Sequence, residues 1–326
     1  MSEPAAAAVP WKPPSSIDEL YAAAAGNKWS SINRPTAGAR DDIQLPDGPA
    51  PLQLHSLFTP NGQKVSILLE ELGVEYDAYT INIGKGEQFS SGFTALNPNG
   101  KIPALMDKEG PDGQPISLFE SGSIVMYLAE KYKRFIPENP RLRAEVLNWV
   151  FWQMGNQGPM AGNFGHFFVY APGDKFESRD YGAARYGIHY TLYMLSSIAT
   201  ANLSICLLSP SPSLLFAATA PSHSLLGMET QRLCDVLDKA LAGKTYLVGE
   251  EYTIADIMCY PWFRQLQTGY KHDCGVDAKQ FLNVDQYSNC VAWAERIGAR
   301  PQVQRGLQVC HWNGQGKPWL EAAKEA

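Results

Sequence analysis

Cysteine is scarce in this chain of 326 residues, and none of its six cysteines lies before Cys206. No two of them form a C-x-x-C pair, and their spacing fits neither a zinc site nor a disulfide framework, so we expect free thiols in a reducing cytosol. Charge is not concentrated either, since 27 Lys and Arg stand against 33 Asp and Glu, a formal net charge of −6. That balance gives no basic surface for nucleic acid. Residues 1–14 also lack the basic start and continuous apolar run of a secretory signal.

The most informative pattern is a predicted strand-to-helix turn. Residues 52–56 alternate apolar and polar as in a half-buried strand, and apolar residues recur at helical spacing from 65 to 72, before Gly73. Thr59 and Asn61, in the segment TPNG, lie between the two elements. Backbone N–H groups and the helix dipole favour an anion there, and a hydroxyl and an amide can donate hydrogen bonds to a thiolate. The alternative is that Thr59 or Asn61 only caps the helix.

Further along, the first half of the chain shows an alternation of strands and helices. Residues 51–138 predict the order strand, helix, strand, helix, strand, strand, helix, with the second strand at Tyr76–Ile83. Residues 103–106 and 116–119 predict a short strand pair joined by a turn that contains Gly113. From residue 139 onward the pattern is helical. Two motifs stand out within the first half: NPNGKIPAL from residue 97 and FESGSI from residue 119.

Together, the strand–TPNG–helix unit, NPNGKIPAL and ESGSIVMYLAEKY resemble the glutathione-binding half of a glutathione transferase. Within that superfamily, TPNGQK and QFSSGF resemble the nu class and its disulfide-reductase relatives. The resemblance runs from about residue 30 to 312, interrupted once. It implies an α/β thioredoxin-like N-terminal domain followed by an all-α C-terminal domain, with a cis Ile102–Pro103 peptide. The predicted boundaries are an N-terminal extension at 1–50, a glutathione-binding domain at 51–138 and a helical domain at 139–326.

The sequence predicts a capping motif at the start of one C-terminal helix. Thr253 as N-cap and Asp256 three residues later can form a capping box, with Tyr252 and Ile257 as a hydrophobic staple. The same device resembles the buried helix start found throughout glutathione transferases. Its expected role is folding and not catalysis.

The resemblance also implies which residues hold glutathione. Glu120 and Ser121, at a predicted helix start, would bind the γ-glutamyl ammonium and carboxylate, although Glu120 would also suit a plain capping acid. The backbone of Ile102 would pair with the cysteinyl residue. Thr59 and Asn61 would face the sulfur, where other classes use Tyr, Ser or Cys.

Four further residues complete the implied site. Gln88 and Lys101 would reach the glycine end, while Asn33 and Arg185 would complete a place for a second glutathione. From the sequence alone, Asn33 could equally be a turn residue and Arg185 a solvated helix charge. His166 has no evident base–nucleophile partner and is interpreted as structural.

The lack of cysteine in the thioredoxin-like half constrains the chemistry. Any thiol–disulfide exchange there must take its sulfur from glutathione as cosubstrate, so Cys234 and Cys259 should be dispensable. The prediction is a cytoplasmic homodimer with glutathione-dependent disulfide-bond reductase activity towards a small-molecule disulfide, with conjugation of electrophiles or reduction of peroxides as further reactions. No nucleic acid or membrane partner is expected. The first alternative is a non-enzymatic regulatory protein of this fold, but its Asn/Gln-rich arm has no counterpart in the first 50 residues.

Residues 188–227 do not fit the pattern, because they contain no Asp, Glu, Lys or Arg. Three interpretations compete. A membrane span at 190–208, and with it a membrane-associated form, is weakened by its Ser, Thr and Asn content. A surface loop of this length would expose many apolar side chains. We favour translation of an unspliced intron, because joining Gly187 to Met228 restores one uninterrupted amphipathic helix. The block should then be disordered or poorly packed.

Overall fold

The computed structural model describes residues 16, 18, 19, 37–170, 222–272, 275–312, 316 and 317. The described residues between 37 and 169 and between 226 and 317 belong to one compact unit. Predictions for Asn33, Arg185 and residues 188–221 lie outside the described residues.

The N-terminal half is a four-stranded sheet with helices. Its elements are β1 Leu52–Ser56, α1 Pro60–Leu72, β2 Tyr76–Thr80, α2 Ser91–Leu96, β3 Ala104–Asp107, β4 Ile116–Phe119 and α3 Ser121–Tyr132, with a 3-10 turn at Glu87–Phe89. The sheet order is β2-β1-β3-β4. Strand β2 runs parallel to β1, while β3 is antiparallel to both β1 and β4. This confirms the predicted order of elements and the thioredoxin-like arrangement.

Strand β2 ends three residues earlier than the predicted Ile83. The N–H of Ile81 still bonds the Ser56 carbonyl at 2.8 Å. Immediately afterwards the side chain of Asn82 accepts hydrogen bonds from the N–H groups of Gly84 and Lys85, at 3.0 and 3.2 Å. A side chain that satisfies backbone donors locally favours a turn over a continued strand.

Helix α1 approaches the end of β1 so closely that Gly62 is required. A Cβ at Gly62 would lie 2.1 Å from the carbonyl oxygen of Leu57. Gly73 ends the helix as predicted, with a φ of 68° that a glycine adopts at little cost.

The C-terminal half is helical, as expected. Its helices are α4 Pro140–Trp152, α5 Gly158–Gly165, α6 Ser222–Leu241, α7 Ile254–Arg264, α8 Ala278–Phe281, α9 Ser288–Gly298 and α10 Pro301–Gly306. Single π turns follow α4, α5 and α7 at Gln153–Gln157, His166–Tyr170 and Gln265–Gly269, and a 3-10 turn spans Val284–Gln286. A large apolar core joins α1 and α3 to the helical half, so the two halves pack as one body.

The predicted capping box at the start of α7 is confirmed. The Thr253 side chain accepts from the Ala255 N–H at 3.3 Å, and Asp256 Oδ2 accepts from the Thr253 N–H at 3.1 Å. The other oxygen of Asp256 accepts from the Leu247 N–H and from Trp293 Nε1, both at 2.9 Å. The buried carboxylate therefore ties α7 to α9 as well as starting the helix.

Helix α6 begins at Ser222, six residues before the predicted resumption at Met228. Gly227 is buried, and Leu226 is half-buried against the core. The last two residues of the 188–227 block are thus packed, which differs from the poorly packed segment expected. In the part of the chain that the structure describes, no helix has the length and apolar character needed to cross a bilayer.

Candidate functional site

Thr59 is the N-cap of α1, at the turn where the site was predicted. Its Oγ1 accepts a hydrogen bond from the Gly62 N–H at 3.3 Å. The side chain is half-buried. Because the cap uses a lone pair of the oxygen, the hydroxyl hydrogen remains to be donated. Capping and anion binding are therefore compatible at Thr59.

Asn61 lies two residues after Thr59, at the second position of α1, and two side chains donate hydrogen bonds to it. Its Oδ1 accepts from Lys64 Nζ at 2.8 Å and from Trp262 Nε1 at 3.0 Å. An amide has one acceptor oxygen and one donor nitrogen, so engaging Oδ1 leaves Nδ2 as the end that can meet an anion. The fold thus orients Asn61 as a donor.

Lys64 belongs to α1 and is fully buried against α3 and the π turn that follows α4, with 0% of its surface exposed. Its Nζ lies 3.2 Å from Ser121 Oγ, 2.5 Å from Gln153 Oε1 and 3.6 Å from Met154 Sδ. Burial lowers the pKa of Lys64 to about 7, although Cys259 and Glu120 act in the opposite direction.

Glu120 and Ser121 stand at the start of α3, as predicted. Glu120 is exposed and has a φ of 65°, in the left-handed region that side chains rarely adopt. Ser121 is buried, and its Oγ faces Lys64 Nζ. The first N–H groups of α3 lack intrahelical partners, which suits a carboxylate ligand.

Ile102 and Pro103 are joined by a cis peptide bond, as the resemblance implied. Neither the N–H nor the carbonyl of Ile102 makes a hydrogen bond to another described residue. Both groups can therefore pair with an extended ligand.

The residues assigned to the glycine end differ in placement. Gln88 is buried, and its Nε2 lies 3.5 Å from the Ile83 carbonyl oxygen, so its amide faces the protein. Lys101 is exposed, and its carbonyl accepts from Asn97 Nδ2 at 2.5 Å. His166 is buried beside Phe167.

Three side chains of this site were missed at the sequence level. Lys64 follows Asn61 by three positions, a helical spacing that places the two side chains on one face and could have signalled the contact. Gln153 and Trp262 reach the site from positions 89 and 201 residues away from their partners, and no local pattern marks them.

The described cysteines are not placed for exchange chemistry. Cys234, Cys259, Cys290 and Cys310 are free and buried. Burial raises the pKa of Cys234 and of Cys310 to about 12. Thiols held in this way carry almost no thiolate at neutral pH.

Comparison with known proteins agrees with the fold. Residues 58–131 match the model of the glutathione S-transferase N-terminal domain, and residues 226–301 match that of the C-terminal domain. The chain is 42% identical over 297 residues to the disulfide-bond oxidoreductase YghU of Escherichia coli, covering 89% of this chain and 85% of that protein.

Two solved structures give the same result. The glutathione transferase YghU of Streptococcus pneumoniae, complexed with glutathione, is 40% identical with a TM-score of 0.71, covering 93% of this chain and 98% of the other. A glutathione transferase of Burkholderia graminis with two glutathione molecules bound per subunit is 34% identical with a TM-score of 0.63, covering 79% and 88%. A thioredoxin-like sheet joined to a helical half, with donors at the starts of α1 and α3, defines a glutathione-binding class of protein. This chain belongs to the glutathione transferase family.

Proposed function

We propose that this protein is a glutathione-dependent disulfide-bond oxidoreductase. The observation that carries the proposal is the pair of donors at the start of α1, Thr59 Oγ1 and Asn61 Nδ2, in a half that contains no cysteine. The relative from Escherichia coli is named a disulfide-bond oxidoreductase. Glutathione is the cosubstrate and supplies the reacting sulfur.

Binding follows the tripeptide along the site. Ser121 and the first N–H groups of α3 hold the γ-glutamyl carboxylate, and Glu120 pairs with the ammonium. The free backbone groups of Ile102 hold the cysteinyl residue, and Lys101 and Gln88 meet the glycine end. For Gln88, this requires its buried amide to turn away from Ile83.

Thr59 and Asn61 act on the sulfur. An unperturbed thiol has a pKa of about 8.5 and is only slightly ionised at neutral pH. Hydrogen bonds to the charged form, together with the N-terminus of α1, lower that pKa and increase the thiolate fraction.

The proposed thiol–disulfide exchange consumes two molecules of glutathione for each substrate disulfide. The first thiolate attacks one sulfur of the substrate disulfide, forming a mixed disulfide and releasing the other substrate sulfur, which takes up a proton. The thiolate of a second glutathione then attacks the glutathione sulfur of the mixed disulfide. The products are glutathione disulfide and two substrate thiols. Two molecules of glutathione bind per subunit in the Burkholderia graminis relative, and we assign Asn33 and Arg185 to the second one here.

An apolar surface formed by β4, α3 and α4 supports a homodimer. Phe151 is 63% exposed, and it borders one surface pocket together with Leu118 of β4 and Met126 of α3. Exposed aromatic and aliphatic side chains that cluster on one surface are typical of subunit interfaces. We also place the protein in the cytoplasm, where reduced glutathione is available for the reaction.

The test is turnover of a small disulfide, such as 2-hydroxyethyl disulfide, by the purified full chain with excess glutathione. Formation of glutathione disulfide is followed through NADPH and glutathione reductase. One glutathione disulfide per substrate disulfide, at a rate well above the uncatalysed exchange, supports the proposal. A protein that binds glutathione yet shows no acceleration would instead be a non-enzymatic member of the fold.

A further inference from the structure

Lys64 contacts residues assigned to two parts of glutathione. Its Nζ lies 2.8 Å from Asn61 Oδ1, assigned to the cysteinyl sulfur, and 3.2 Å from Ser121 Oγ, assigned to the γ-glutamyl end. A third contact at 2.5 Å to Gln153 Oε1 fixes the amine from the helical half. Lys64 is completely buried, so water does not provide an alternative partner.

The direction of these hydrogen bonds determines what the neighbours can offer. Once Lys64 is protonated, as expected with an anionic ligand bound, its ammonium only donates, so Asn61 Oδ1 and Ser121 Oγ must both accept from it. The Asn61 amide then presents Nδ2, and the Ser121 hydroxyl donates to Met154 Sδ at 3.6 Å. A thioether is a weak acceptor, so an anionic ligand can take over that hydrogen bond. Both side chains can then donate towards an anionic ligand.

The charges around Lys64 also support a role in binding an anionic ligand. A buried cation without a counter-ion is costly, and the side chains that contact Lys64 Nζ, those of Asn61, Ser121, Gln153 and Met154, are neutral. The titratable groups that face it are Glu120 before α3 and Cys259 on α7. On the α10 side, Arg300 pairs with Glu71 and Arg305 with Glu70. An incoming thiolate and carboxylate would supply the missing negative charge.

We propose that Lys64 is a positioning residue that holds Asn61 and Ser121 as donors and provides the buried positive charge that glutathione neutralises. This rests on the proposed function, because it concerns the same binding site. It also makes a prediction about protons. The pKa of Lys64 is about 7 without ligand, and an adjacent carboxylate raises it. The protein should therefore take up a proton when the ligand binds slightly above neutral pH.

S-methylglutathione separates this proton from that of the ligand, because it has no thiol to ionise. Calorimetry at pH 7.5 to 8, in buffers of different ionisation enthalpy, gives the number of protons taken up on binding. We expect the wild type to take up most of one proton. Lys64→Met should take up none and should bind about tenfold to a hundredfold more weakly, as expected for loss of a charged hydrogen-bond donor.

Lys64→Arg is the discriminating variant. A guanidinium stays protonated, so this variant should recover part of the affinity without any proton uptake. Lys85→Met, at an exposed lysine, is the control and should match the wild type in both measurements. For variants that bind glutathione, thiolate absorbance against pH should show a thiol pKa higher by about one unit in Lys64→Met than in Lys64→Arg.

The outcomes are distinguishable. Proton uptake that persists in Lys64→Met, or a Lys64→Met affinity equal to that of the wild type, overturns the role of Lys64 and leaves the proposed function standing. If Lys64→Met does not fold by circular dichroism, the wild type and Lys64→Arg decide: proton uptake by the wild type that is lost in Lys64→Arg supports the role, and equal uptake by both overturns it. A wild type that does not bind S-methylglutathione contradicts the glutathione site itself.

Discussion

At the scale of single residues, we propose that Thr59 Oγ1 combines a structural and a chemical task. It accepts from the Gly62 N–H at the start of α1, and in the proposed mechanism it donates its hydrogen to the ligand sulfur. Thr59→Ala should abolish most disulfide-reductase turnover while weakening glutathione binding less, and loss of the cap should cost about 1 kcal/mol of stability. Thr59→Ser keeps the hydroxyl and should retain both. Steady-state kinetics, calorimetric affinity and denaturant unfolding separate the two losses.

The cysteine variants are the counterpart of that test. Cys234→Ser and Cys259→Ser should keep their turnover, because burial raises the pKa of both thiols and the reacting sulfur belongs to glutathione. If either variant folds and binds glutathione but loses turnover, the mechanism in which glutathione supplies the reacting sulfur is wrong.

Ser121 allows a second residue-level prediction. On the proposed assignment, Ser121→Ala removes one hydrogen bond to a charged ligand group, which is worth roughly 1.5–3 kcal/mol, or about one to two orders of magnitude in glutathione affinity. Ser123→Ala is the matched control, because Ser123 lies on the same first turn of α3 but is exposed. Calorimetry on both variants checks the assignment. Equal affinities in the two would remove Ser121 from the site.

Part of this site could be predicted from the sequence, and part could not. Thr59 and Ser121 lie at helix starts, and local sequence patterns mark such positions. Trp262 reaches Asn61 only through the packing of α7 on α1, so its role depends on tertiary contacts that no window of sequence contains. Burial of Lys64 is equally unpredictable, because a lysine on an amphipathic helix ordinarily faces water.

At the scale of elements, the start of α7 was predictable because its signal is local. The Thr253–Asp256 spacing specifies a capping box whatever surrounds it. The bonds from Asp256 to Leu247 and Trp293 were not predictable, and they make the carboxylate a junction between helices. The ends of strands were predicted less accurately. The Asn82 side chain accepts from the following N–H groups and forms a turn, so β2 ends before its apolar pattern does.

Asp256→Ala should therefore destabilise the protein far more than loss of a cap alone. It leaves buried donors on Leu247, Thr253 and Trp293 without an acceptor, and each such group costs about 1–3 kcal/mol. We expect a loss of at least about 3 kcal/mol in the free energy of unfolding, measured with urea. Asp235→Ala removes an exposed helix-surface ion pair and should change stability by less than about 0.5 kcal/mol. A loss in Asp256→Ala no larger than in Asp235→Ala would show that the junction contributes little.

At the scale of the whole molecule, the apolar surface that includes Phe151 predicts the oligomeric state. Phe151→Asp places a charge in the proposed subunit interface, so sedimentation velocity should show a shift from dimer to monomer. Ile43→Asp is the control, because Ile43 is 60% exposed but lies before β1 on the N-terminal segment. A wild type that sediments as a monomer, or a Phe151→Asp dimer as stable as the wild type, would contradict this interface.

The packing around Gly227 bears on the origin of residues 188–227. A Cβ at that position would lie 3.1 Å from Phe281 Cε1 and 3.8 Å from Phe164 Cε2, so the position before Met228 suits a glycine. Removing the block places Gly187 directly before Met228, which meets the same requirement. The family model of the C-terminal domain also matches only from residue 226, although the helical half begins at Pro140. Both observations favour an insertion into an otherwise continuous helix.

Deletion of residues 188–227 should consequently give a protein with higher soluble yield and a melting temperature at least as high as that of the full chain. In the natural protein, tryptic digestion and mass spectrometry should detect the peptide YGMETQR, in which Tyr186-Gly187 is joined directly to Met228. The full chain cannot produce it, because the block has no Lys or Arg and leaves one long peptide from Tyr186 to Arg232. Peptides from within 188–227 at the abundance of their neighbours, without the junction peptide, would show that the block is a genuine part of the protein.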